Sequence, residues 1–228
     1  MEKGGSGSGD LLPPQLARLP PGRHGLPREF VAANHRDRLI TACAQEVLER
    51  GYGETTVAHI IKAAAVSRRT FYESFESKEA CFLATYDLLM DHLRGRVFEA
   101  FTAETEWPEQ LRASLAAMLD FLAEEPGLAR LCMVEPLAAG PPISDYHRAA
   151  VDGFAPLLSA GRNPERPGEP PLGTEEAVAF GIAQLIMRRI VGGDVGDLRG
   201  LAPDLVETAL TPFLGAAEAE KVARRPAA

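Results

Sequence analysis

The chain has 228 residues, 46% of them hydrophobic and 25% charged, with a net charge of −8. This is enough for one large domain or two small ones around a packed core, and it excludes wholesale disorder. No stretch reaches the roughly 18–20 uninterrupted apolar residues of a membrane span, and three scattered cysteines (Cys43, Cys81, Cys132) fit neither a disulfide framework nor a zinc site.

Residues 1–27 read as a disordered tail. GGSGSG has flexible-linker composition, and Pro13, Pro14, Pro20, Pro21 and Pro27 oppose regular structure. The leading MEKGGSGSGD lacks the apolar core of a secretory signal, so the expected location is cytoplasmic, with free buried thiols and thiol redox sensing as the alternative. Arg18, Arg23, His24 and Arg28 make the end of the tail mildly basic, which suits either a solvated tail or an arm for a DNA minor groove. A helix is expected from residue 28 to residue 50, with Ile40, Cys43, Ala44, Val47 and Leu48 on one stripe and Gly51 as its C-cap.

Residues 55–78, TTVAHIIKAAAVSRRTFYESFESK, hold two short helical patterns almost in contact. Thr55 and Thr56 offer N-cap hydroxyls, and Val57, Ile60, Ile61 and Ala64 share one face. Ser67 is the next cap. Phe71 and Phe75 turn inward and leave Arg68, Arg69, Thr70, Tyr72 and Ser74 mostly outside. The pattern alone fits a helix-turn-helix reader of a major groove and an ordinary helical hairpin with a solvated face equally well.

A fourth helix, capped by Ser77, is expected to run to about residue 98 through Phe82, Tyr86, Leu89, Met90 and Leu93. Further helices are expected at 108–125, at 128–138, at 145–160, from an N-cap at Thr174 to residue 191, and at 204–214. Residues 161–173, GRNPERPGEPPLG, read as a mobile loop, and residues 216–228 as a frayed tail. No hairpin signal or internal repeat interrupts an all-α pattern.

Charge is divided unevenly. Residues 28–98 carry 10 basic and 10 acidic side chains, whereas residues 99–228 carry 11 basic and 20 acidic ones. Phosphate neutralisation depends on local cations, so the overall acidity does not exclude a nucleic-acid partner.

Tyr52, Thr55, Thr56, Val57, Ile60, Ala64, Val66, Ser67, Thr70, Tyr72, Phe75, Lys78 and Glu79, in this order and spacing, resemble the N-terminal signature of the TetR family of transcriptional regulators. The resemblance covers residues 28 to about 98. Three positions depart from the pattern: Ile61 stands for the usual Ala, Ala65 for the turn Gly, and Cys81 for a packing Leu. If the turn needs φ > 0, Ala65 carries strain on the order of 1 kcal/mol.

The resemblance implies an all-α chain with a helix-turn-helix DNA-binding domain at 28–76 and a helical effector-binding and dimerisation domain at 77–215. It implies DNA contacts from Thr55, Thr56, Ser67, Arg68, Arg69, Thr70, Tyr72 and Lys78. Thr56, Tyr72 and Lys78 would touch phosphate, and Arg68 would read a guanine edge. The expected partners are a double-stranded, palindromic operator, a second copy of the chain joined through the last two long helices, and a small-molecule effector that releases a repressor from DNA. Trp107, Met118, Phe121, Met133, Phe154, Phe180, Gln184 and Met187 are candidates for the effector pocket, each also readable as plain core. The acidic excess fits a cationic effector and a solvated surface equally.

No cofactor or metal is expected. His24, His35, His59, His92 and His147 show no metal-ligand spacing, and no glycine loop cradles phosphate, which argues against an enzyme. A helical scaffold for another protein would leave the Arg68, Arg69 and Tyr72 face unexplained.

Overall fold

The structure, a computed structural model, describes residues 28–124, 126–163 and 169–225. The expected tail at 1–27 lies outside the described residues, as does the centre of the 161–173 loop. The described chain is helical, with no strand: α1 (Arg28–Glu54), α2 (Val57–Ala64), α3 (Arg68–Ser74), α4 (Lys78–Ala103), α5 (Trp107–Glu124), α6 (Pro126–Met133), α7 (Glu135–Ala138), α8 (Ile143–Asp152), α9 (Ala155–Ser159), α10 (Thr174–Gly192), a 3-10 segment (Val195–Leu201), α11 (Ala202–Leu214) and α12 (Ala216–Ala223).

Two compact units result, Met1–Asp87 and Leu88–Ala228. The division falls within α4 and not ahead of it at residue 76. The reason is that the first turns of α4 bury Cys81, Phe82 and Tyr86. Cys81 Sγ donates to the Leu39 carbonyl at 3.7 Å, Thr85 Oγ1 lies 3.4 Å from the Ile40 carbonyl, and the Phe82 ring meets Tyr52 edge-on at 4.9 Å. These contacts fix the start of α4 to α1.

In the first unit α1 packs on α2 and α3, and Ile60, Ala64, Phe71 and Phe75 are buried at the centre. Gly51 has φ 79° and breaks α1 before its final turn, as a glycine in the left-handed region should. A hydrogen bond with Cys43 and burial push the Cys81 thiol far up, so it is not a ready nucleophile.

In the second unit α10 packs on α6, α8, α9 and α11, while α5 packs on α11, α12 and the 3-10 segment. Cys132 is fully buried here, and burial pushes its thiol up to about 12. The expected helices at 128–138 and 145–160 each split in two. Gly153 ends α8, and Pro156, which has no amide hydrogen, sits in the first turn of α9. Thr174 does not cap α10. Gly173 (φ 85°) holds the cap position, and the Thr174 hydroxyl donates to the Pro171 carbonyl at 2.7 Å.

The frayed tail after Gly215 is also corrected. Gly215 at φ 80° turns the chain into α12, whose Ala219, Val222 and Ala223 are buried. Small alanines that look featureless in sequence allow close approach to α11. Arg225 then reaches Glu109 of α5 at 2.5 Å. The ends of the 161–173 loop are held as well: Arg162 pairs with Glu175 and Glu169 and donates to the Pro170 and Pro171 carbonyls. Gly161 lies where an added Cβ would come within 2.1 Å of the Trp107 ring.

Candidate functional site

The first unit presents two short helices whose ends are capped from within and from α1. Thr56 has extended backbone (φ −121°, ψ 159°), and its side chain accepts the His59 amide at 3.2 Å. His59 Nδ1 accepts the Thr56 amide in return at 3.3 Å, a capping box with histidine in the usual Glu/Gln place. Thr55 is different. It is 1% exposed and its hydroxyl donates to the Gly51 carbonyl at 2.8 Å, so it braces the end of α1 and is not a surface contact.

The turn between α2 and α3 passes through Ala65 at φ 50°, ψ 47°. The Ala65 amide donates to Lys62 O at 3.2 Å and the Val66 amide to Ile61 O at 3.1 Å, which satisfies carbonyls at the α2 end. The left-handed conformation that the family pattern reserves for glycine is therefore adopted by an alanine. Ser67 then caps α3, accepting the Thr70 amide at 3.0 Å, with its hydroxyl 2.8 Å from that of Thr70.

Two residues missing from the expected set control this geometry. Arg38 of α1 donates to the carbonyls of Ala64 and Ala65, the latter at 3.0 Å. Arg36, two positions earlier, donates to the Ser74 carbonyl at 3.3 Å and lies 4.4 Å above the Phe75 ring. One arginine thus closes the C-terminus of α2 and the other that of α3, where a cation suits the helix dipole. Their partners are 26 and 38 residues away, so no local pattern marks them. The only local signal is a pair of arginines two residues apart, which an α-helix places on different faces.

The outer face of α3 exposes Arg68, Arg69 and Tyr72, with Thr70 half-buried. Arg68 lies over the Tyr72 ring at 5.5 Å, with Nη2 3.4 Å from the Tyr72 hydroxyl. Arg69 donates to Glu73 at 2.8 Å, and that hydrogen bond raises its already high pKa. Lys78 Nζ donates to the Tyr52 carbonyl at 2.8 Å and sits 4.0 Å over the Tyr52 ring, tying α4 to the end of α1. Burial raises the Tyr52 phenol pKa, aided by nearby Glu79 and Cys43.

The second unit contains a cavity of about 70 Å³. Of the expected pocket residues it brings together Met118, Met133 and Phe154. The other five are elsewhere. Trp107 donates Nε1 to the Leu157 carbonyl at 2.8 Å and meets Phe213 edge-on at 5.4 Å. Phe121 is buried 6.4 Å from His92 and beneath Arg96 at 5.7 Å. Phe180, Gln184 and Met187 recur at i, i+4 and i+7 with Val191 on the side of α10 away from the cavity, and Phe180 is 47% exposed and Val191 61%.

The cavity-facing side of α10 is Ala179, Ile182, Ala183 and Ile186. Two polar residues in the wall were not foreseen. Ser114 donates to the Val97 carbonyl at 3.3 Å, and His147 is 6% exposed, with burial lowering its pKa. Among the described residues no three His, Cys, Asp or Glu side chains gather as a metal would require, and no helix is long and apolar enough to cross a membrane.

Comparison with known proteins points the same way as the geometry. Residues 39–85 match the family model for bacterial regulatory proteins of the tetR family. The chain is 27% identical over 127 residues to the HTH-type transcriptional activator FasR of Mycolicibacterium smegmatis, covering 56% of each protein, so it spans just over half of that relative. It is 26% identical to the HTH-type transcriptional regulator EthR of the same organism, over 79% of this chain and 84% of that one. Among solved structures, the fatty acid degradation regulator FadR of Bacillus halodurans superposes with a TM-score of 0.65 at 19% identity, over 79% of this chain and 95% of that one. FadR of Thermus thermophilus, solved with lauroyl-CoA, superposes with a TM-score of 0.56 at 25% identity, over 78% and 95%. These relatives are transcription regulators, not enzymes.

Proposed function

We propose that this chain, a DNA-binding transcriptional regulator that belongs to the TetR family, binds a palindromic operator as a homodimer and is released from it by a small molecule. The observation that carries the reading is the capped α2–α3 pair, whose outer face offers Arg68, Arg69 and Tyr72 while Phe71 and Phe75 anchor it from behind.

In this reading the first unit, from residue 28 to Asp87, is the DNA-binding domain, and the second unit, from Leu88, is the effector and dimerisation domain. Arg68 reads a base edge, because a guanidinium can bond guanine O6 and N7 together. The α2 amide terminus at Thr56, together with Ser67, Thr70, Tyr72 and Lys78, positions the duplex through phosphate. Arg69, held by Glu73, serves the backbone once DNA competes for it. Arg36 and Arg38 position the two helices without touching DNA.

One short recognition helix buries too little for a selective complex, which calls for two copies. The outward apolar face of α10, with Phe180, Met187 and Val191, is the proposed meeting surface, together with α11. The second-unit cavity is the proposed effector site, and the lauroyl-CoA bound by Thermus thermophilus FadR supports small-molecule control on this fold. An effector that prefers the conformation unable to span the operator lowers DNA affinity by its own coupling energy. Helix α4, continuous from Lys78 to Ala103, contributes residues to both units and is the proposed lever. Repression is the proposed sign, and the activator FasR makes activation the second reading.

The test is binding of the full chain to operator DNA and its point variants. Arg68→Ala is expected to remove about 1–3 kcal/mol of discrimination at one base pair. Lys78→Ala is expected to weaken binding to every sequence alike and to reduce the salt slope by about one. Unchanged preference at every position in Arg68→Ala would sink the assignment.

A further inference from the structure

We infer that Tyr72 is the positioning residue of the base reader: its ring and hydroxyl hold the Arg68 guanidinium, and the same hydroxyl gives its proton to a phosphate oxygen, so that base reading is registered to the backbone of the duplex. The inference rests on the reading of Arg68 as the residue that meets a base edge.

Residues four apart on a helix are neighbours, and α3 sets Arg68 against Tyr72 in this way. The guanidinium carbon stands 5.5 Å from the centre of the Tyr72 ring, and Nη2 lies 3.4 Å from the Tyr72 hydroxyl oxygen. The ring is itself held, because it meets Phe71 edge-on at 5.3 Å and Phe71 is fully buried. A long, exposed side chain is thereby seated on a ring anchored to the core of the first unit. Ordering such a side chain on binding costs conformational entropy, and here part of the order is present before DNA arrives.

This partner leaves the arginine free to read. Tyr72 takes one of the five guanidinium N–H donors, and a phenol brings no charge, so the fork keeps its charge and its other donors for guanine O6 and N7. Arg69 is the contrast. It donates to the Glu73 carboxylate at 2.8 Å, a bond that has to break before Arg69 can meet an acceptor on DNA. The Tyr72 hydroxyl carries one proton as well as lone pairs. Accepting from Arg68 leaves that proton for a phosphate oxygen, which joins the two contacts at one atom.

The experiment takes the duplex that the full-length protein enriches from a random pool, together with its single-base variants. Fluorescence anisotropy gives their affinities for the parent, Arg68→Ala, Tyr72→Phe, Tyr72→Leu and the double variant Arg68→Ala/Tyr72→Phe. Tyr72→Phe keeps a ring against Phe71 and is expected to unfold at the parent's midpoint. It is expected to weaken binding to every duplex and, beyond that, to cut the preference at the base pair read by Arg68 by about threefold or more, with Tyr72→Leu cutting it further. In the Arg68→Ala background the same change is expected to weaken all duplexes equally. If Arg68→Ala flattens one position while Tyr72→Phe and Tyr72→Leu leave its preference intact, the base reader stands and the inference is overturned. Unchanged affinity of Tyr72→Phe for duplexes altered at that base pair overturns it as well, since no phosphate contact is then lost. If Arg68→Ala leaves every preference unchanged, the assignment of Arg68 fails and the inference with it.

Discussion

The two units of this chain solve opposite problems with the same secondary structure. The first fixes a surface. Ile60, Phe71, Phe82 and Tyr86 are fully buried, and the helix ends that would otherwise be loose are closed by Thr56, Ser67, Arg36 and Arg38. The second encloses space. Its helical path is broken at Gly153 and near Pro136, and its helices surround an apolar cavity. A reading head must hold donors to within fractions of an ångström of a groove, whereas a sensor must keep room for a guest and more than one arrangement.

The largest break in this contrast is expected from removing the anchor behind the reading face. Phe71→Ala should cost about 3–5 kcal/mol and abolish duplex binding through loss of the α2–α3 geometry. Chemical denaturation alongside a duplex-binding assay measures both, and an unchanged unfolding midpoint would show that the first unit is not held from its core.

In the second unit the corresponding stress point is Gly161. Gly161→Ala forces a Cβ toward the Trp107 ring and displaces the indole from the Leu157 carbonyl. A loss of about 1–3 kcal/mol is expected, read as a lower thermal midpoint. Operator affinity of the still-folded protein should change little.

A smaller change sharpens the contrast in the other direction. Ala65 at φ 50° is the strained position of the reading head. Ala65→Gly relieves the left-handed penalty and adds chain entropy to the unfolded state, for a net gain of roughly 0.5–1 kcal/mol. Destabilisation by this substitution would mean that the alanine methyl packs usefully in the turn.

The smallest effect separates the units by pH. Burial holds the His147 pKa below its ordinary 6.5, so the folded state binds a proton less readily than the unfolded chain. Stability is therefore complete above pH 6.5 and falls as the pH drops through that value. Unfolding midpoints at pH 7.5 and 5.5 should converge in His147→Gln relative to the parent. Equal pH sensitivity in both proteins would place the titration elsewhere.

The first unit was the more legible in sequence, and the reason is local spacing. An N-cap and its amide lie three residues apart, so Thr56, Ser67 and the inward pair Phe71 and Phe75 could be read directly, and Ala65 could be marked as the turn residue. Thr55 misled because it is chemically equal to Thr56, and only the path of α1 past Gly51 buries one hydroxyl and exposes the other. Arg36 and Arg38 act across the fold and leave no local mark.

The second unit was legible as helices but not in sidedness. Helix α10 carries two apolar stripes, and the large side chains Phe180 and Met187 drew the pocket expectation toward the one that does not line the cavity. The residues of α10 that line the cavity, Ala179, Ile182, Ala183 and Ile186, are the less conspicuous set. Likewise Trp107 and Phe121 are spent on packing against Phe213, His92 and Arg96, pairings that depend on tertiary structure alone.

The most direct test of the central claim is selection of bound duplexes from a random pool by the full-length protein. The account predicts enrichment of one sequence with two roughly symmetric half-sites, centred about one helical turn apart or a multiple of it, and loss of preference at a single position within each half-site for Arg68→Ala. Retention of no sequence above the bulk pool, or the same enriched sequence with undiminished preference from Arg68→Ala, would contradict it.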